Sequence, residues 1–269
     1  MKADSAVLVF FSPTGTTAAV VEAIGRGAEL GAVNRIDLTR QPTSGLQYEL
    51  AGFDLAIVGA PVYCGRIPPV ALSRLREIRG NNTPAIVVAV YGNRDYEDAL
   101  LELRDACGEL GLVPIAGGAF IGEHSYSTAN TPIAVGRPDP ADVAEAKRFG
   151  RAVKTKISSA QRLDDLGTIV VPGRFPYTEK HASHCAATVS PETSHSDCTL
   201  CGTCAAVCPT DAIVVRDSVV TDGDACIMCT ACVKSCPTGA RSWQAEPVMR
   251  AATLLSVNCR DRRMPETYL

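Results

Sequence analysis

Eight of the twelve cysteines fall between Cys198 and Cys236, in two runs of identical spacing. Cys198-x2-Cys201-x2-Cys204-x3-Cys208-Pro209 is repeated by Cys226-x2-Cys229-x2-Cys232-x3-Cys236-Pro237 at an offset of 28 residues, and each run continues Pro-Thr-x-Ala. Three thiolates within seven residues can wrap one face of a [4Fe-4S] cube, and in two-cluster proteins of this spacing the fourth cysteine ligates the other cluster. The expected sets are Cys198, Cys201, Cys204 and Cys236 for one cluster, and Cys226, Cys229, Cys232 and Cys208 for the other. Structural zinc is disfavoured, because it uses paired CxxC units separated by a longer loop. Cys64, Cys107, Cys185 and Cys259 stand outside the pattern.

A second chemical signal lies near the start. After the apolar run Ala6 to Phe11 the chain reads Ser12-Pro13-Thr14-Gly15-Thr16-Thr17 and enters a helical pattern. Hydroxyls and backbone amides gathered at a helix N-terminus suit an anion. The loop carries no cation and no Walker lysine, so it fits a monoester phosphate held by neutral donors rather than a nucleoside triphosphate. Gly25-x-Gly27-x3-Gly31 is not a dinucleotide fingerprint, since it closes a helix instead of opening one.

The elements that position these residues follow from periodicity. Short apolar runs at Ala6 to Phe11, Asn34 to Asp37, Leu55 to Ala60, Ala85 to Val90 and Leu112 to Phe120 alternate with amphipathic stretches at 16–28, 69–78, 95–110 and 139–158. Such alternation predicts a doubly wound α/β domain with a five-stranded parallel sheet. Ser159 to Asp197 is rich in proline, serine and threonine and reads as a linker packed on the first domain. The expected division is 1–158 for the α/β domain, 159–189 for the linker, 190–245 for a small α+β two-cluster domain, and 246–269 for a C-terminal helix and tail. A small hairpin is expected between Ile213 and Thr221.

The hydroxyl loop resembles the FMN-phosphate loop of flavodoxins, matching at Ser12, Thr14, Gly15 and Thr17 with Thr16 in place of the usual Asn. That resemblance implies two further loops gripping the flavin ring. Here they contain Pro61, Val62 and Tyr63 after the third strand, and Tyr91, Gly92, Asn93, Tyr96 and Asp98 after the fourth. Tyr63 and Tyr96 are the expected stacking residues, and His124, after the fifth strand, is a candidate to bond the flavin or move a proton. The cysteine segment resembles bacterial two-cluster ferredoxins. Together with the linker Pro172 to Tyr177 and the ending Asn258-Cys259-x-x-Arg262-Arg263-x-Pro265-Glu266, the whole resembles the EFR family of flavodoxin–ferredoxin fusion proteins. The resemblance implies a carrier passing electrons between FMN and two [4Fe-4S] clusters, which joins one- and two-electron steps and is suited to anaerobic metabolism.

An FMN-dependent NAD(P)H- or quinone-linked reductase fed by the clusters is the alternative. Partners would be redox proteins, either ferredoxin-type donors or an acceptor oxidoreductase, with a homodimer open. The 269 residues suggest about two domains. With 26 Lys+Arg against 29 Asp+Glu and a net charge of -3, a nucleic-acid-binding surface is disfavoured. The apolar runs are too short for a membrane span, and a cytoplasmic location is expected.

Overall fold

The computed structural model describes residues 1, 3–40, 47–179 and 189–269. The first half forms a sheet from strands β1 (Ser5–Phe10), β2 (Ala32–Asp37), β3 (Leu55–Pro61), β4 (Pro84–Tyr91) and β5 (Val113–Ile121). They run parallel in the order β5-β4-β3-β1-β2. β3 and β4 are buried at every position, as central parallel strands covered on both faces must be.

Alternate residues along β1 divide between the two faces. Leu8 and Phe10 pack with helices α1 (Thr16–Ala28) and α4 (Pro140–Ser159), among Val20, Ile24, Phe149 and Val153. Val7 and Val9 pack on the other face with α2 (Pro69–Leu75) and α3 (Ala99–Glu109), among Leu75, Leu100 and Leu103. Helices α1 and α4 cross at two glycines: a Cβ at Gly27 would lie 2.0 Å from the Lys147 carbonyl oxygen, and one at Gly150 would lie 2.1 Å from that of Ile24. Within the 25–31 stretch, Gly27 therefore serves helix packing and Gly25 faces Leu8 and Ile57 of the sheet. Helix α4 opens on a capping box in which Asp139 accepts from the Ala141 and Asp142 amides.

The helix expected over 69–78 ends at Leu75, and Ile78–Arg79 pairs in parallel with Tyr48–Glu49; two further differences bear on the site. Helix α3 begins at Ala99 instead of Asp95, because 95–98 form the turn that carries Tyr96 and Asp98. Glu266–Tyr268 forms a strand pairing antiparallel with β5, Glu266 opposite Ala119, so the sheet has six strands. The sequence gives no apolar alternation there, and the pairing is set by where the tail returns.

The described part of the linker packs on the α/β domain. Leu166, Ile169 and Val171 are buried, and the Tyr177 hydroxyl donates to Asp105 at 2.7 Å. Residues 180–188, including Cys185, lie outside the description.

The cysteine segment contains two four-residue helices, α5 (Thr203–Ala206) and α6 (Ala231–Lys234), and the antiparallel hairpin β6 (Ile213–Val215) and β7 (Val219–Thr221). A short ribbon joins Glu192–Thr193 to Arg241–Ser242. Helix α7 (Glu246–Asn258) then leads to the closing strand, β8 (Glu266–Tyr268). No helix among the described residues is long and apolar enough to cross a membrane.

Candidate functional site

The order 2-1-3-4-5 reverses between β1 and β3, and in such sheets ligands bind beyond the carboxyl ends of the strands at that reversal. The hydroxyl loop stands there. Gly15, at φ 82°, takes the left-handed position that caps α1 without a side-chain hydrogen bond, leaving first-turn amides to an external acceptor. The Ser12 hydroxyl accepts from the Ala18 amide at 3.0 Å, and the Ser12 amide donates to Thr39 Oγ1 at 2.8 Å. Ser12 thus braces the loop. Thr14 and Thr16 hydroxyls lie 3.5 Å apart, and Thr17 Oγ1 is buried with no hydrogen-bond partner. A buried hydroxyl left unpaired is costly. An anion seated on the α1 N-terminus would satisfy it, so these residues fit a terminal phosphate.

The loops after β3, β4 and β5 converge beside this cradle. Val62 bonds the Val90 carbonyl through its amide, and Tyr63 and Arg66 exchange backbone bonds of 2.9 and 3.2 Å, making a tight bend beyond Pro61. A Cβ on Gly92 would lie 2.3 Å from the His124 ring, and one on Gly122 would lie 3.1 Å from Thr16, so Gly92 and Gly122 let these loops close up.

Not every residue expected to face the ring does so. Tyr96 is buried against Tyr91, with ring centroids 5.5 Å apart, and its hydroxyl bonds Glu266 at 2.8 Å and Tyr268 at 2.9 Å. Asn93 donates to the carbonyls of Cys259 and Asp261, at 2.8 and 2.9 Å. Asp98 accepts from the Arg174 and Thr178 amides, which clips the linker. These three residues anchor the tail and linker rather than presenting themselves to a ligand.

His124 also departs from the near-neutral proton carrier expected. Burial, with Lys234 and Arg94 nearby, pushes its pKa down to about 4, and Nδ1 accepts from the Tyr126 amide at 3.0 Å. It is neutral at physiological pH, with Nε2 left as a donor.

Cysteines of both runs lie near one another. Cys198, Cys201, Cys204 and Cys236 line one recess with Leu200, Val219, Pro237 and Arg241. Cys226 and Cys229 feel the charges of Cys232 and Cys208, and burial above all raises both thiols, Cys229 to about 12. Thiols so crowded and dry would resist ionising unless metal took the proton's place. The donor set therefore fits an iron–sulfur group.

The repeat extends to the surroundings. Thr210 Oγ1 lies 3.7 Å from Cys208 Sγ, and Thr238 Oγ1 lies 3.8 Å from Cys236 Sγ. The Ala212 amide donates to Cys208 Sγ at 3.3 Å. Among the described residues no three His, Cys, Asp or Glu side chains converge as they would on a single ion. Of the remaining thiols, Cys107 is buried in the core and pushed up to about 12 by that burial.

Of the two expected sets, the inner one, with Cys226 and Cys229, lies against the sheet edge of the same chain, and the one with Cys198, Cys201, Cys204 and Cys236 is the outer. Tyr63 is raised well above the usual phenol range, first by burial and then by Cys229 and Tyr126. Tyr126 is raised to about 12, by burial and by Cys226. Ile227 packs against the α/β core, and Tyr126 stacks edge-on with Trp243 at 5.8 Å and with His124 at 5.2 Å. Around this contact Lys234 pairs with Glu123 at 2.7 Å, Arg40 pairs with Asp211 at 3.1 Å, and buried Arg74 reaches the Pro209 carbonyl. Neither Arg74 nor Tyr126 stands out in sequence, because nothing local distinguishes a docking residue from an ordinary loop or helix residue.

A flavodoxin-like α/β fold and a C-terminal dicluster domain, joined in one chain, define a class of electron-transfer proteins. Residues 197–240 match the family model described as a 4Fe-4S dicluster domain. No curated protein matches the sequence. Among solved structures the chain is similar to a flavodoxin from the domain Archaea at 18% identity, covering 57% of this chain and 99% of that one, with a TM-score of 0.37. It is similar to oxidised flavodoxin 2 from Bacillus cereus at 15% identity, over 56% and 99% of the two chains, with a TM-score of 0.42. The rubredoxin oxygen:oxidoreductase from the anaerobe Desulfovibrio gigas is 14% identical over 58% of this chain, which spans 37% of that protein, with a TM-score of 0.38.

Proposed function

We propose that the protein carries electrons between one FMN and two [4Fe-4S] clusters, and that the transfer runs within a single chain. The observation that carries this reading is the position of Cys226 and Cys229 beside Tyr126 and Tyr63, on two loops that border the hydroxyl cradle. Thr14, Thr16, Thr17 and the first amides of α1 would hold the phosphate. Pro61, Val62, Tyr63, Gly92 and the His124 Nε2 donor would bound the ring, with Tyr91 packed behind. Ser12 and Gly15 shape the loop.

Bound FMN accepts one or two electrons and each cluster passes one, so the pair converts between the two modes. The protein's share is to position and insulate. Half-buried Tyr63, Ile227 and Tyr126 line the contact, while the exposed Cys201 leaves the outer set accessible to a redox partner. The flavodoxin–ferredoxin resemblance and the dicluster match support the same reading.

The test is anaerobic rapid mixing with dithionite after FMN and iron analysis. Flavin and cluster bleaching should be kinetically coupled, and Cys229→Ser should uncouple them. Flavin reduction that proceeds unchanged without either cluster, with NADH alone sustaining turnover, would replace this reading by a reductase.

A further inference from the structure

The two cysteine runs are related by an offset of 28 residues, which pairs Ile213 with Arg241. Both side chains are buried, at 6% and 4% exposure, yet one is apolar and the other a cation. The repeat is broken at one interior point by a full charge.

The surroundings of Arg241 touch both cysteine sets. Nη1 donates to Thr193 Oγ1 at 2.8 Å, and Nη2 donates to Thr221 Oγ1 at 3.0 Å. Nη2 also lies 3.6 Å from Cys232 Sγ, a member of the inner set. The same residue lines the recess of Cys198, Cys201, Cys204 and Cys236. Its backbone N–H approaches the Cys236 sulfur. No carboxylate pairs with it among the described residues, and Nε is buried without a hydrogen-bond partner.

An unpaired buried guanidinium is costly unless an anion shares its surroundings. Threonine hydroxyls hold it but leave its charge uncompensated. A thiolate-ligated cluster is anionic and gains a further negative charge on reduction. A fixed cation nearby therefore favours the reduced form, through charge and hydrogen bonding at the sulfurs.

We infer that Arg241 is a shared positioning residue of the two clusters, holding a positive charge between them that raises both reduction potentials and keeps the two close enough for either to pass an electron to the other. The inference rests on the two-cluster reading above. A residue that only braced the Thr193–Arg241 ribbon would affect cluster retention and leave the potentials alone.

The decisive measurement is an EPR-monitored redox titration of the full chain, reconstituted anaerobically, as native, Arg241→Gln and Arg241→Lys. Iron and sulfide are counted first. A native value near four iron sinks the two-cluster reading itself, whereas about eight of each leaves the inference to be judged by potential. In loaded Arg241→Gln the reduced-to-oxidised ratio at fixed potential should fall about ten-fold for each cluster, ~59 mV for a one-electron couple, and Arg241→Lys should recover most of it. Unchanged midpoints in the loaded Gln variant overturn the inference. Should that variant lose its clusters, Thr193→Val combined with Thr221→Val, which frees the guanidinium but keeps its charge, becomes the judge. Lowered midpoints support the inference and native midpoints overturn it.

Discussion

The α/β domain and the cysteine domain are held together by different means. Two apolar layers fill the first, with residues such as Phe10, Ile24, Leu100 and Phe120 fully enclosed. The buried apolar cluster of the second consists of Cys204, Cys208, Ala212, Ile213 and Cys232. Three of those five are thiols expected to bind iron. The large core stands on burial alone, whereas the small one lacks the apolar area to do so and is expected to borrow stability from bound iron–sulfur. The first domain can therefore exist before its cofactor, while the second should form with it.

The strongest way to break this contrast is to remove the iron. Chelation under reducing conditions, or Cys204→Ser, should abolish protection of backbone amides across 197–240 while leaving the α/β domain cooperatively folded. Hydrogen exchange resolved by peptide reads both at once. Equal loss in the two regions would show that the α/β domain also leans on the clusters.

The next effect belongs to the cradle. Thr14→Ala with Thr17→Ala removes two donors at about 1–3 kcal/mol each, so FMN affinity should fall at least ten-fold. Fold stability should change little, because Thr17 Oγ1 has no partner to lose. Flavin fluorescence titration checks the affinity. An unchanged Kd would remove the phosphate from this loop.

The contrast also explains which features could be read from the sequence. The cysteine domain is legible because two runs of identical spacing leave few other readings, and residues 197–240 match the dicluster model. The central strands are legible because burial on both faces makes β3 and β4 continuously apolar. Asn93, Tyr96 and Asp98 mislead because an amide, a phenol and a carboxylate in a sheet-edge loop look alike whether they meet a ligand or a returning tail. Glu266–Tyr268 carries no strand pattern of its own, and the Arg241 asymmetry, visible in the 28-residue offset, gains weight only from the burial of both Ile213 and Arg241.

A smaller effect separates the domains by pH. His124 has its pKa lowered to about 4 by burial and by Lys234 and Arg94, against about 6.5 when unfolded. Between those values the unfolded chain binds the extra proton, so stability is fully present above about pH 6.5 and lost as pH falls toward 4. The shift corresponds to roughly 3 kcal/mol at most. His124→Gln should flatten that acid slope for the α/β transition without altering iron retention at neutral pH. Urea unfolding at pH 7 and at pH 5 measures it, and an identical slope in the variant would assign the acid sensitivity to other groups.

The smallest effect is expected at the rim of the interdomain contact. Lys234 and Glu123 are each about a quarter exposed and 2.7 Å apart. Burial works against the Glu123 carboxylate, but the Lys234 ammonium and the Gly136 amide hold its pKa below the usual range. A partly wet pair of this kind contributes about 0–1 kcal/mol and is screened by salt. Tyr63, Ile227 and Tyr126 occupy the drier centre of the contact, where burial does not depend on ionic strength. Lys234→Met should therefore slow flavin–cluster transfer by no more than about three-fold, and the native rate should converge on the variant's as salt rises. Stopped-flow traces across an ionic-strength series provide the check. A native rate indifferent to salt would place the whole docking energy in the apolar centre, whereas a loss well beyond three-fold would make this ion pair the latch that holds the two domains in register.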